Sequence, residues 1–239
     1  RTALPQLYRE LGEAIARLLH AYGITQANPF VIPNCIIVSF VTPEGETLTQ
    51  VRRMPTHGTD IDLLEKYYDL GRRLCRETPS LDDAHRRLEE ISLQHRTYPF
   101  PVLLCAYFAV SATFSLFFGG TGRDALAAGS CGLTIGVALT AMTRFHANLF
   151  FKSMLCSALS AFLASALTRL GFAQHSELVI IGALMALVPG IIFTNAIRDV
   201  IAGDMVAGLS KIADALLTGV SVALGTGFAL SLARLFWGV

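Results

Sequence analysis

The five cysteines, Cys35, Cys75, Cys105, Cys131 and Cys156, form no CxxC pair, and three of them lie inside apolar runs. Cysteine in such surroundings behaves as a small hydrophobe, which argues against a disulfide framework and a zinc site. Charge is scarce as well: Asp, Glu, Lys and Arg make up 15% of 239 residues, and the net charge is +1. Without a basic or an acidic field, nucleic acids and strongly cationic partners drop out. No phosphate-binding loop, nucleophile–base pair or metal cluster is visible, so nothing points to an enzyme, a metal or a cofactor. The first apolar stretch is too interrupted by charge for a signal peptide, and the start at Arg1 leaves a native front end to be expected ahead of it.

What the chain does have is apolar surface, with 53% hydrophobic residues and a mean hydropathy of +0.52. Its distribution is uneven. Most charges fall before Arg96, whereas from Tyr98 onward they sit in short clusters between long apolar runs. Two solvents are implied, and the expected fold is a membrane α-helical bundle of about five transmembrane helices (98–239) behind an N-terminal α+β cytoplasmic domain (1–97).

In the N-terminal part, Leu4 to Tyr22 carries apolar residues at three- and four-residue spacing and ends at Gly23, which reads as an amphipathic helix with a left-handed cap. Phe30–Ile32, Cys35–Val41 and Thr47–Arg53 are β-rich, and Pro43-Glu44-Gly45-Glu46 suits a turn between the last two. Thr59 and Ser80 look like N-caps of helices over about Asp60–Arg76 and Leu81–Gln94.

Five apolar spans follow, approximately 100–118, 125–143, 153–168, 178–197 and 212–236, each near the ~20 residues needed to cross hydrocarbon. Arg86, Arg87, Arg96, Arg144, Lys152, Arg198 and Lys211 share one side, against Arg123, Arg169 and Arg234 on the other. Seven against three places the N-terminal domain in the cytoplasm. Small residues recur every four positions: Ala128, Gly132, Gly136; Ser153, Ser157, Ala161, Ser165; Gly182, Ala186, Gly190; and Ala215, Gly219, Ala223, Gly227. Such stripes let helix backbones approach closely in lipid, against each other or against another subunit.

The most informative stretch is Leu187-Val-Pro-Gly-Ile-Ile-Phe-Thr-Asn195-Ala-Ile-Arg198-Asp199, followed by Gly203-Asp204. Pro189 and Gly190 are expected to break the fourth span into half-helices, exposing backbone groups and a positively polarised helix start of the kind that holds carboxylates in transporters. The other reading is a kink that only shapes the bundle. Asn195, Arg198 and Asp199 share or border one helical face, and Asp204 and Asp214 lie beyond it as candidates for proton coupling or gating. Interfacial anchoring is the alternative for each. His146, with Asn148, could take a proton near neutral pH, and Gly119-Gly120-Thr121-Gly122-Arg123-Asp124 is either a tight reversal or a gate.

Taken together, Val51-Arg-Arg-Met-Pro-Thr-His-Gly-Thr-Asp60, Tyr98-Pro99, Phe118-Gly-Gly with Asp124, Asn148-Leu-Phe150 and, above all, Leu184-Met-Ala-Leu-Val-Pro-Gly-Ile-Ile-Phe-Thr-Asn-Ala-Ile-Arg-Asp199 with Gly203-Asp204 and Gly208 resemble the threonine/serine exporter family, in its split, YjjP-type large-subunit form. The first helix departs from the pattern by lacking the family's small-residue and arginine spacing. The resemblance implies a multi-pass protein of the bacterial inner membrane that exports threonine, serine or a related carboxylate such as succinate, driven by protons. It also implies a hetero-oligomer with a small membrane subunit that supplies further helices. Pro189, Gly190, Thr194, Asn195, Arg198 and Asp199 are then the expected substrate-binding set. A non-transporting assembly or regulatory subunit is the rival of another class.

Overall fold

The computed structural model describes residues 7–32, 35–42, 45–54, 61–93, 98–145 and 148–237. They form two compact units, one from the described part of Arg1–Thr97 with Asn195–Ser210, the other from Tyr98–Thr194 with Lys211–Val239.

In the first unit, helix α1 (Leu7–Ala21) runs to Gly23, whose φ of 88° is the left-handed cap expected from the sequence. Strands β1 (Ala27–Ile32), β2 (Cys35–Val41) and β3 (Thr47–Arg53) make an antiparallel sheet in that order, with Phe30 opposite Ile37 and Val38 opposite Gln50. Helices α2 (Ile61–Glu77) and α3 (Leu81–Leu93) bury Leu70, Leu74 and Ala84 against each other, with Leu18 of α1 packed alongside. Ser80 caps α3 as expected, its Oγ accepting the Asp83 amide at 3.3 Å. Tyr22 donates its hydroxyl to the Pro79 carbonyl, fastening the end of α1 to the α2–α3 turn. The expected cap at Thr59, the turn residues Pro43 and Glu44, and Leu4 lie outside the described residues.

In the second unit, α4 (Phe100–Phe117), α5 (Gly122–Arg144), α6 (Leu149–Arg169) and α9 (Met205–Trp237, which starts in the first unit) are each long and apolar enough to cross a membrane. The expected fourth span is instead two short helices, α7 (Ser176–Leu184) and α8 (Gly190–Ile201). The count of helices long enough to cross is therefore four among the described residues, not five. Pro189 is the physical reason: it has no N–H to give and its ring clashes with the turn before it, so the ladder stops at Leu184 and restarts at Gly190. The third span, by contrast, is longer than the apolar run suggested, because Asn148 caps α6 upstream of it, accepting the Phe150 amide at 3.3 Å.

Small residues set the packing. A Cβ on Gly132 would lie 2.5 Å from the Tyr107 carbonyl oxygen of α4, and one on Gly182 would lie 2.7 Å from the Ser115 amide nitrogen. Ser153, Ser157 and Ala161 of α6 are buried as well. The expected stripe on α9 behaves differently. Ala215 is buried, but Gly219, Ala223 and Gly227 are exposed; Val222, Gly225 and Ala229 are buried instead, with Gly225 against Met154 and Ser157 of α6. Since α7 meets backbone rather than a flexible side chain at Ser115, Gly182→Val is expected to lower the stability of this unit by about 1–3 kcal/mol, read by thermal unfolding in detergent.

Candidate functional site

The break between α7 and α8 brings opposite helix ends together. After Leu184 the chain tightens, with Met185 donating to Ile181, Ala186 to Ala183 and Leu187 to Leu184, so these last carbonyls of α7 each hold one turn bond and keep a second lone pair for a further donor. Five residues separate α7 from the start of α8. Gly190 donates to Val188, the Pro189 carbonyl accepts from Phe193, and the amides of Ile191 and Ile192 stand in the first turn, where a helix has no internal acceptor for them. A partial negative charge at the end of α7 thus precedes a partial positive charge at the start of α8.

Beside this break, within the second unit, lies a groove of about 460 Å³ lined by Val188, Pro189, Gly219, Ala223, Thr226 and Gly227, together with Leu184, Val222 and Leu230. Its walls are apolar, and it holds one polar side chain. Thr226 has its Oγ1 buried without a hydrogen-bond partner. Thr194 lies one turn along α8, exposed, with its hydroxyl turned back onto the Gly190 carbonyl at 2.9 Å.

The rest of the expected set belongs to the first unit. On α8, Asp199 is buried with 2% exposure, Asn195 is half-buried, and Arg198 is exposed. The helix thus separates Arg198 from Asp199, while Asn195 and Asp199, four residues apart, stay on its inner side. Gly203, at φ 91°, ends α8 with its amide on Val200, and Asp204 donates to the Asp199 carbonyl at 2.8 Å, the double bond of a glycine-capped helix end. Gly208 then seats the start of α9 against Ala196 and Val200. Asp204 lines a second groove, of about 360 Å³, with Glu13 and Ala16 of α1 and Pro29, Phe30 and Val31 of β1.

Asp214 is exposed on α9, where its carbonyl accepts the Thr218 hydroxyl. With 33 residues, α9 is about 50 Å long and exceeds the ~30 Å hydrocarbon core, so part of it extends past that thickness. His146 lies outside the described residues. Asn148 is the α6 cap already noted.

Asp124 is the residue whose surroundings differ most from the sequence reading. It is fully buried and closes a capping box with Thr121, its Oδ2 accepting the Thr121 amide at 2.9 Å and hydroxyl at 2.8 Å. Its Oδ1 accepts the amides of Gln174 and His175 at 2.7 and 3.0 Å, and His175 Nδ1 lies 3.0 Å from Oδ2. The Thr-x-x-Asp spacing announces the box. Nothing in the sequence announces His175, fifty-one residues away, nor that the glycines of α9 line a groove.

The family model described as "Putative threonine/serine exporter" matches residues 8–233. Among curated proteins, the "Probable threonine/serine exporter" of Mycobacterium tuberculosis is 25% identical over 210 residues, 86% of this chain and 39% of that protein. "Pheromone-regulated membrane protein 10" of Eremothecium gossypii is 23% identical over 218 residues, 86% of this chain and 28% of that protein. The chain therefore spans well under half the length of these relatives. No solved structure matches. With four apolar helices and a family match over nearly its whole length, this multi-pass membrane protein belongs to the threonine/serine exporter family.

Proposed function

We propose that this chain is one subunit of a secondary exporter of small amino acids, threonine or serine, with its substrate held at the Pro189 break. The supporting observation is the pairing of two helix ends of opposite polarity beside an apolar groove. An α-amino acid is a zwitterion. Its carboxylate suits the free amides of Ile191 and Ile192 at the start of α8, and its ammonium group suits the terminal carbonyls of α7. The Thr226 hydroxyl, buried and without a partner, offers a hydrogen bond to a substrate hydroxyl. A dicarboxylate such as succinate brings no ammonium to the carbonyl end, which favours the amino acid.

In this reading the N-terminal domain is cytoplasmic, in the inner membrane of a bacterium, and Asn195, Arg198 and Asp199 lie where the broken helix emerges. Asp204 and Asp214 carry the proton coupling. The relatives' greater length supports a small membrane partner that completes the pathway in a hetero-oligomer.

The test is efflux of labelled threonine, serine and succinate from preloaded cells, with and without the small partner. Efflux of threonine or serine that needs both chains and collapses with the proton gradient is the expected result. Asn195→Ala and Asp199→Asn are expected to insert normally and to slow that efflux roughly tenfold, the scale of one lost positioning contact. Wild-type rates in both variants would remove Asn195 and Asp199 from the site. Retention of all three compounds by correctly assembled pairs would favour a regulatory subunit.

A further inference from the structure

We propose that His175 is a proton-operated latch: its protonated imidazole holds the Gln174–His175 segment on the buried Asp124 carboxylate, and loss of that proton loosens α7 from α5. Asp124 sits at the start of α5, and His175 immediately precedes α7, so this one carboxylate fastens two helix starts that are far apart in the chain. Both of its oxygens are occupied by donors, the bonding pattern of a carboxylate, which can only accept. The imidazole differs from the other donors in two respects. Its side chain is 45% exposed, so it exchanges protons with water, and its Nδ1 carries a hydrogen always when charged but in only one of two tautomers when neutral. A charge-assisted bond is also about twice as strong as a neutral one.

The charged groups at this end are few. Glu177 follows on α7, Arg123 precedes Asp124 on α5, and Arg169 and Arg234 stand in the last turns of α6 and α9, while α4 ends in Phe117 without a charge. The hydrogen bond to Asp124 raises the His175 pKa above its ordinary 6.5, and the charges of Asp124 and Glu177 add to this, against a smaller opposing effect of desolvation. For a histidine raised in the folded state, the contribution to stability is complete below about 6.5 and fades as pH rises through the raised value. The latch is therefore closed in acid and opens toward alkaline pH. Because α7 leads directly into the Pro189 break, the latch governs how firmly the near half of that break is anchored.

Hydrogen exchange of the Gln174 and His175 amides, in the purified full chain in detergent, tests this without measuring transport. After correction for intrinsic exchange, wild-type protection is expected to fall several-fold between about pH 5.5 and pH 8.5, the range in which histidine titrates. His175→Gln keeps a side-chain donor but cannot titrate, and its protection is expected to be flat. Glu177→Gln is expected to keep the slope with a lower midpoint, since one of the charges that favour the imidazolium is gone. In the wild type the histidine's own NMR titration is expected to follow the amide protection, which holds the test open should His175→Gln fold poorly. Flat wild-type protection, an unchanged slope in His175→Gln, or a histidine titration that does not track the amides would overturn the latch. Each of these outcomes leaves the efflux experiment untouched, and failed efflux leaves the latch untouched.

Discussion

Asp124→Ala is expected to cost the transmembrane unit at least about 3 kcal/mol, the scale of removing one partner from a buried charged network. The carboxylate is fully buried and collects the amides of Thr121, Gln174 and His175. Deleting it leaves those donors without an acceptor, at roughly 1–3 kcal/mol for each that water cannot reach, and the α5 capping box is lost as well. These costs overlap and do not add. Asp124→Asn is expected to be milder, because one oxygen survives to accept a pair of amides while its NH₂ faces the others. Chemical unfolding in detergent separates this role from the gating role that the sequence suggested. A gating residue would change transport and its pH dependence with the fold intact, whereas a fastening residue changes unfolding first. If Asp124→Ala unfolded within about 1 kcal/mol of the wild type, the fastening role would be lost.

The contrast between Asp124 and the helix boundaries shows what the sequence could and could not carry. Strand and helix limits were legible nearly to the residue in β2, β3 and α3, because alternation, turn chemistry and the Ser80 cap are local signals. The break at Pro189 was legible for the same reason, since a proline and its following glycine act on their own helix. The division of the first unit was not legible. Asn195–Ser210 lies between apolar spans in sequence yet groups with the N-terminal residues, and only the fold brings Asp204 to α1 and β1. Which neighbour the small-residue stripe of α9 serves was not legible either. A four-residue stripe of small side chains says that a helix can be approached closely, but the same helix carries Gly225 on another face, and sequence alone does not say which face a neighbour takes. Pairings such as Asp124 with His175 are set by where two connections end in space, and no periodicity encodes that.

The two glycines of α9 that lie two residues apart give the most discriminating pair of variants. A Cβ on Gly225 would collide with the Met154 carbonyl oxygen and the Ser157 hydroxyl of α6, whereas a Cβ on Gly227 would meet nothing within 4 Å. Gly225→Leu is therefore expected to force α9 off α6 at about 1–3 kcal/mol or more. Gly227→Leu should leave the fold intact or firmer, since leucine is a better helix former than glycine by up to about 1 kcal/mol. Its side chain, however, enters the groove beside Pro189. Expected, then, is an inversion: the variant that folds best exports least, with efflux down roughly tenfold or more because substrate can no longer reach the helix ends that orient it. Thermal unfolding and labelled-threonine efflux on the same preparations give both numbers, and co-purification of the small partner gives a third. Wild-type efflux from Gly227→Leu would remove the groove from the transport path. Lost efflux together with a lost partner would make the groove the seat of a partner helix. Lost efflux with the partner retained leaves substrate access as the function of the exposed glycines, and explains why α9 packs through Gly225 and keeps Gly219 and Gly227 bare.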